Sequence, residues 1–143
     1  MVWKATMLKK YLLLMILCLI VSGQTNASSA SKAQKSLDAN LASYQLAVRW
    51  NDFEAAIGSL DPTIVREEGY SENIEAQFKN YQVTGYTLKS IAWPNELSYM
   101  QRVEIRYIEI NTQIEKILVD KQSWRYDAVA KRWWLVSGLP KLE

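Results

Sequence analysis

The feature that most constrains this chain is a change of hydrophobic period near Tyr81. Before it, apolar residues recur every three or four positions: Leu37, Leu41, Tyr44 and Val48, with an overlapping series at Leu46, Trp50, Phe53, Ile57 and Leu60. Such spacing gathers side chains on one side of a helix, so it predicts a long amphipathic helix with a broad buried face, ending near Gly58. After Tyr81 the repeat becomes two: Val103, Ile105 and Tyr107 alternate with Arg102, Glu104 and Arg106. Only a strand repeats in that way. A chain with helical spacing in its first part and strand spacing in its second is expected to be α+β, a helical layer laid on a sheet.

Local signals divide each layer. Asp61-Pro62 offers an N-cap followed by proline at the first helical position, which predicts a short helix over residues 63–68 closed by Gly69. Ser71 can cap a third helix carrying Ile74, Phe78 and Tyr81, with Glu72 and Glu75 early, where the helix dipole favours negative charge. Four strands follow, about 83–93, 98–110, 113–126 and 132–137. They are separated by Pro94-Asn95-Glu96, by Asn111-Thr112 and by the loop 127–131. Short connections between strands imply an antiparallel meander, one face covered by the helices.

The N-terminus reads as an export signal occupying residues 1–23. Lys4, Lys9 and Lys10 precede an apolar run, Tyr11 to Val21, that is shorter than the roughly 20 residues a bilayer span needs. Cleavage is expected after Gly23 or Ala27, and Met7 is an alternative start, since Met7-Leu8-Lys9-Lys10 with the apolar run is by itself a complete signal. Residues 24–35, rich in Ser, Ala, Gln and Lys, read as a flexible tether, leaving 36–143 as a single domain. Cys18 is the only cysteine, so no disulfide holds the domain. A lipid anchor on Cys18 is the alternative to a plain signal cysteine, but a leucine precedes it and the apolar run continues beyond it. The expected location is periplasmic or secreted, with no stable membrane span once the signal is removed.

Composition excludes several functions. Without Lys4, Lys9 and Lys10 the 17 cationic residues fall to 14, against 15 acidic ones, so basic character belongs to the leader and a nucleic-acid partner is not expected. The chain has no histidine, which removes Ser-His-Asp and Cys-His nucleophile systems, His-ligated zinc and imidazole bases. Its five glycines lack the spacing of a phosphate-binding loop, and no metal or other cofactor is implied.

Three helices, then a four-stranded meander ending in the hairpin Trp124-Arg125-Tyr126-Asp127 to Lys131-Arg132-Trp133-Trp134-Leu135-Val136, resemble the nuclear transport factor 2-like superfamily over residues 36–138. The resemblance implies a curved sheet wrapped around the long first helix as a cone with a pocket at its wide end. It carries no catalytic motif. It places Tyr44, Asp52, Tyr86 and Tyr107 near the cone, where an Asp base beside Tyr hydroxyls would suit an isomerase or dehydratase of a small organic molecule. A solvated helix face explains Asp52 more simply, and strand propensity with a half-buried rim suits the tyrosines. Trp133 and Trp134 are adjacent on a strand and must face opposite ways, Trp133 with Leu135 and Trp134 with Val136; only one can face the helices. The expected function is therefore an exported, non-catalytic binding module. It would take a small apolar ligand in the cone or a protein on the sheet face; the Asp/Tyr enzyme and a homodimer through the sheet are the alternatives.

Overall fold

A computed structural model describes residues 25–70 and 72–143. The expected signal, Cys18 and Ser71 lie outside them. The chain divides into two compact units, 1–32 and 33–143. Of the first, only Thr25–Lys32 is described, and it is helical.

The elements in chain order are α1 (Thr25–Arg49), α2 (Phe53–Ile57), α3 (Pro62–Glu68), α4 (Glu72–Lys79), β1 (Tyr81–Asn95), β2 (Ser98–Glu109), β3 (Glu115–Asp127) and β4 (Arg132–Leu135). The architecture is α+β: helices packed on an open antiparallel sheet of order β1-β2-β3-β4, a meander. Helical spacing gives way to strand spacing at Tyr81, where β1 begins.

Two expectations about the helices need correction. Residues 25–35, read as a flexible tether, are helical, because the core reaches into them. Ala33 and Leu37 are buried, and the Trp133 indole Nε1 donates 2.8 Å to the Ala33 carbonyl. The long helix also stops at Arg49 rather than continuing to Gly58. Asn51 takes a left-handed backbone (φ 54°), a conformation Asn tolerates, and Asp52 then caps α2 by accepting from the Ala55 amide at 3.0 Å. Trp50 and Leu46, which a continuous helix was expected to bury, are exposed. The Asp61-Pro62 signal works as predicted. Asp61 accepts from the Thr63 amide at 2.8 Å, Pro62 opens α3, and Gly69 ends it at φ 60°. That amide, with Arg125 as ion-pair partner, holds the Asp61 carboxyl below its ordinary value.

The inner face of the sheet carries Tyr99, Val103, Ile105 and Tyr107 from β2, Gln122 and Trp124 from β3, and Trp133 and Leu135 from β4. Against them pack Leu37, Tyr44, Ala47 and Val48 of α1, Phe53 of α2 and Phe78 of α4. Burying a Leu- or Phe-sized side chain stabilises by about 1.5–3 kcal/mol, so this layer, with no disulfide present, is the main source of stability. The edge of β4 is not open. Residues 59–61 run beside it, with Asp61 N donating to Leu135 O at 2.9 Å and Leu135 N to Ser59 O at 2.8 Å.

β1 is the opposite edge and departs from regular pairing three times, between Val83 and Gly85, Leu88 and Ser90, and Ala92 and Asn95. At each place β1 has one residue more than β2. Such bulges bend a strand and change which residues point inward. Gly85 stands where a Cβ would lie 3.4 Å from the Arg106 Cβ, so the absence of a side chain permits the close approach at the first bulge.

Candidate functional site

Polar side chains occur at two places on the inner face: Lys116 and Glu109 lie toward one end, opposite Tyr107 and Tyr81, and a larger group lies nearer the middle. There the register sets Tyr86, Gln101, Asp120 and Gln122 side by side across β1, β2 and β3: Tyr86 lies opposite Ile105, Gln101 opposite Gln122, and Val103 opposite Asp120. Directly opposed residues share a face, so the four converge on the side that faces α1.

Gln122 is the hub and is fully buried. Its Oε1 accepts from Gln101 Nε2 at 2.7 Å and from the Tyr86 hydroxyl at 3.3 Å; its Nε2 donates to Tyr86 Oη at 2.9 Å and to Asp120 Oδ2 at 2.8 Å. Gln101, also buried, accepts from the Tyr99 hydroxyl at 3.1 Å. Burying polar groups costs free energy unless they are bonded, and a connected network meets that condition for Gln122 completely. It does not meet it for two neighbours. The Tyr44 hydroxyl and Trp124 Nε1 are buried with no hydrogen-bond partner among the described residues, and the two rings meet edge to face at 5.5 Å.

The electrostatics fit that picture. Burial raises the Asp120 carboxyl above its ordinary value, and the Gln122 amide opposes the rise. No ion pair of Asp120 occurs among the described residues. Burial pushes the Tyr86 phenol up to about 12, against the Gln122 hydrogen bond. The Tyr44 phenol is also raised, by burial first and then by Asp120, Tyr86 and Tyr70. All of these hydroxyls are neutral donors at ordinary pH.

Beside the network the inner face is left uncovered. Leu88, Ile91 and Trp93 of β1 are 54%, 55% and 41% exposed. They are nonetheless inner-face residues, since Leu88 is opposite Val103 and Ile91 opposite Gln101, while the Trp93 ring lies 4.9 Å from Tyr99 and 6.1 Å from Trp133. An apolar strip thus runs up to a polar cluster. An exposed apolar strip beside a polar cluster has the two characters that a binding surface for a largely apolar molecule needs.

The sequence-derived candidates fall in different places. Tyr44 and Tyr86 are both at this network. Asp52 is not: it is exposed and occupied as the α2 N-cap. Tyr107 is buried farther along the sheet, where its hydroxyl donates to the Glu143 main-chain oxygen at 3.1 Å and its ring meets Tyr81 at 5.3 Å. Trp133 is in the core. Trp134 is half-buried on the opposite face, its indole donating to Asp127 Oδ2 at 3.2 Å beneath the Arg132 guanidinium at 3.9 Å. Sequence reasoning missed Asp120, Gln122 and Gln101. The available signal was parity, since Gln101 shares it with Val103 and Ile105, and Gln122 with Trp124.

A recess of about 240 Å³ lies between α3, α4 and residues 139–143. At its wall the Tyr70 hydroxyl donates to Glu68 at 2.7 Å and accepts from the Leu139 amide at 3.1 Å. Among the described residues there is no group of three acidic, His or Cys side chains placed to hold a metal, and no helix long and apolar enough to cross a membrane. Comparison with known proteins finds no matching family model and no matching curated protein.

Proposed function

We propose that the domain is an exported, non-catalytic binding module that takes a small, largely apolar molecule against the inner face of its sheet. The observation that carries this reading is the strip Leu88, Ile91 and Trp93, exposed on the face that elsewhere forms the core and adjoining the Gln122 network. Apolar residues left in water on a core-facing surface mark a place where something else is meant to pack. The resemblance to nuclear transport factor 2-like domains supports it, because it locates a pocket on the same side of the sheet.

The second reading, an Asp/Tyr isomerase or dehydratase, transfers from Asp52 to Asp120, the carboxyl that burial raises. It is the weaker of the two because Asp120 reaches Tyr86 only through Gln122, and no hydroxyl donates to Asp120 among the described residues.

Titration with a neutral solvatochromic dye, N-phenyl-1-naphthylamine, tests the binding reading. Saturable binding with one site per chain is expected, and Ile91→Asp should abolish it while leaving the circular dichroism spectrum unchanged. Absence of saturation, or dye binding indifferent to Ile91→Asp, would refute the site.

A further inference from the structure

The outer face of the sheet, turned away from α1, is bare. Its rows across β2 and β3 are Arg106 with Ile117, Glu104 with Val119, Arg102 with Lys121, and Met100 with Ser123. Ile117, Val119 and Met100 are 60%, 50% and 43% exposed, so no described element covers them. On a solvated sheet face alternation calls for polar residues at these positions. Ile117 and Val119 are instead neighbours on one side of β3, set among charges, and such a surface marks a place that something else meets.

The charge of this face is unbalanced. Its central acid, Glu104, is held by Lys89 at 2.9 Å and by Arg106 at 3.4 Å, and Arg125 has its partner in Asp61. The remaining acids, Glu115 and Asp127, stand at the two ends of β3. Arg102 and Lys121, both exposed, make no ion pair among the described residues, although they lie directly opposite each other. Like charges so placed destabilise a sheet, and an anion lying over both offsets that cost.

The two features together select the partner. A second copy packed about a two-fold axis through this pair would bring like charges onto like charges. A nucleic acid presents phosphate to its surroundings and would gain little from Ile117, Val119 and Met100. A lipid surface answers both features, because its phosphates lie directly over hydrocarbon; Trp134, half-buried on the same face, is a residue type that settles at that boundary. We infer that the outer face docks peripherally on an anionic phospholipid bilayer. Arg102 and Lys121 meet lipid phosphates, and Ile117, Val119 and Met100 enter the headgroup layer.

The test is nuclear magnetic resonance of the full chain, isotopically labelled in its isoleucine and valine methyl groups, with bicelles that carry a gadolinium-chelating lipid. Reading by position separates docking of this face from attachment through the apolar N-terminal run, which would broaden both faces alike. With phosphatidylglycerol in the bicelle, Ile117 and Val119 should broaden while Ile91, on the inner face, stays sharp. That preference should be lost with phosphatidylcholine alone, and also at about 1 M salt, where the screening length is about 3 Å. Arg102→Glu/Lys121→Glu exchanges one exposed like-charge pair for another, so it should fold as the unaltered chain does, and it too should lose the preference. Equal broadening on both faces, broadening of Ile91 alone, no broadening, or a preference that survives the double variant would overturn the lipid assignment. Shifts of Ile117 that grow with chain concentration without lipid would give the face to a second copy, and shifts with heparin as large as those with lipid would give it to a polyanion; either result overturns the assignment as well. None of these outcomes bears on the inner-face site.

Discussion

Asn51 decides where the first helix ends and where the sheet begins. Its backbone is left-handed, and its side-chain amide donates to the carbonyl of Phe78, at 3.1 Å, and to that of Tyr81. One residue thus closes α1, frees Asp52 to cap α2, and ties both to the junction of α4 with β1. Alanine at this position would forfeit two hydrogen bonds and adopt an unfavourable φ. From about 1 kcal/mol for each bond and 1–2 for the backbone, Asn51→Ala should destabilise by about 3 kcal/mol. Asn51→Gly keeps the backbone permissive and should cost about 1 kcal/mol less. Denaturant unfolding of the two variants checks this, and equal losses would assign the whole effect to the side-chain bonds. The same reasoning explains Asp52: its carboxylate holds a helix end, which is why its place in the sequence between Asn51 and Phe53 gave no indication of chemistry.

At the scale of elements, the first two turns of α1 that belong to the sheet-bearing unit are structural. They bury Ala33, and the Ala33 carbonyl satisfies the Trp133 indole inside the core. A chain beginning at Leu37 should be less stable than one beginning at Thr25 by about 1–3 kcal/mol, the cost of leaving a buried donor unpaired. Thermal unfolding measures the difference, and equal melting temperatures would show that the helical start contributes nothing. The composition of residues 24–35 hid this, because Ser, Ala and Lys read as tether unless one knows that a tryptophan a hundred residues later needs a carbonyl. The helix 62–68 and the four strands were legible, since Asp61-Pro62, Gly69 and the turn residues act locally. β1 was legible as a strand but not in its facing. Its three irregularities shift parity twice between Val83 and Trp93, so that Tyr86 and Leu88, then Ile91 and Trp93, all come to the inner side. No single alternating pattern in the sequence contains that set.

For the molecule as a whole, the helices cover the inner face over β2, β3 and β4 and leave the far half of β1 bare. The core is therefore complete on one side and continuous with a polar network and an apolar strip on the other. Tyr44 and Tyr86 were reached as candidates through the family resemblance, which set them near the cone with Asp52 and Tyr107. Gln101, Asp120 and Gln122 were not, because their meeting depends on the pairing of three strands, which appears only once the register is known. If ligands bind where the strip meets the network, the tryptophans report it position by position. With the chain labelled in its indole nitrogens and titrated with octan-1-ol, the nuclear magnetic resonance signals of Trp93 and Trp124 should move in a saturable way. Those of Trp50, exposed at the end of α1, and Trp134, on the opposite face of the sheet, should stay in place. Movement of Trp134 or Trp50 with Trp93 and Trp124 unchanged would contradict the inner-face site.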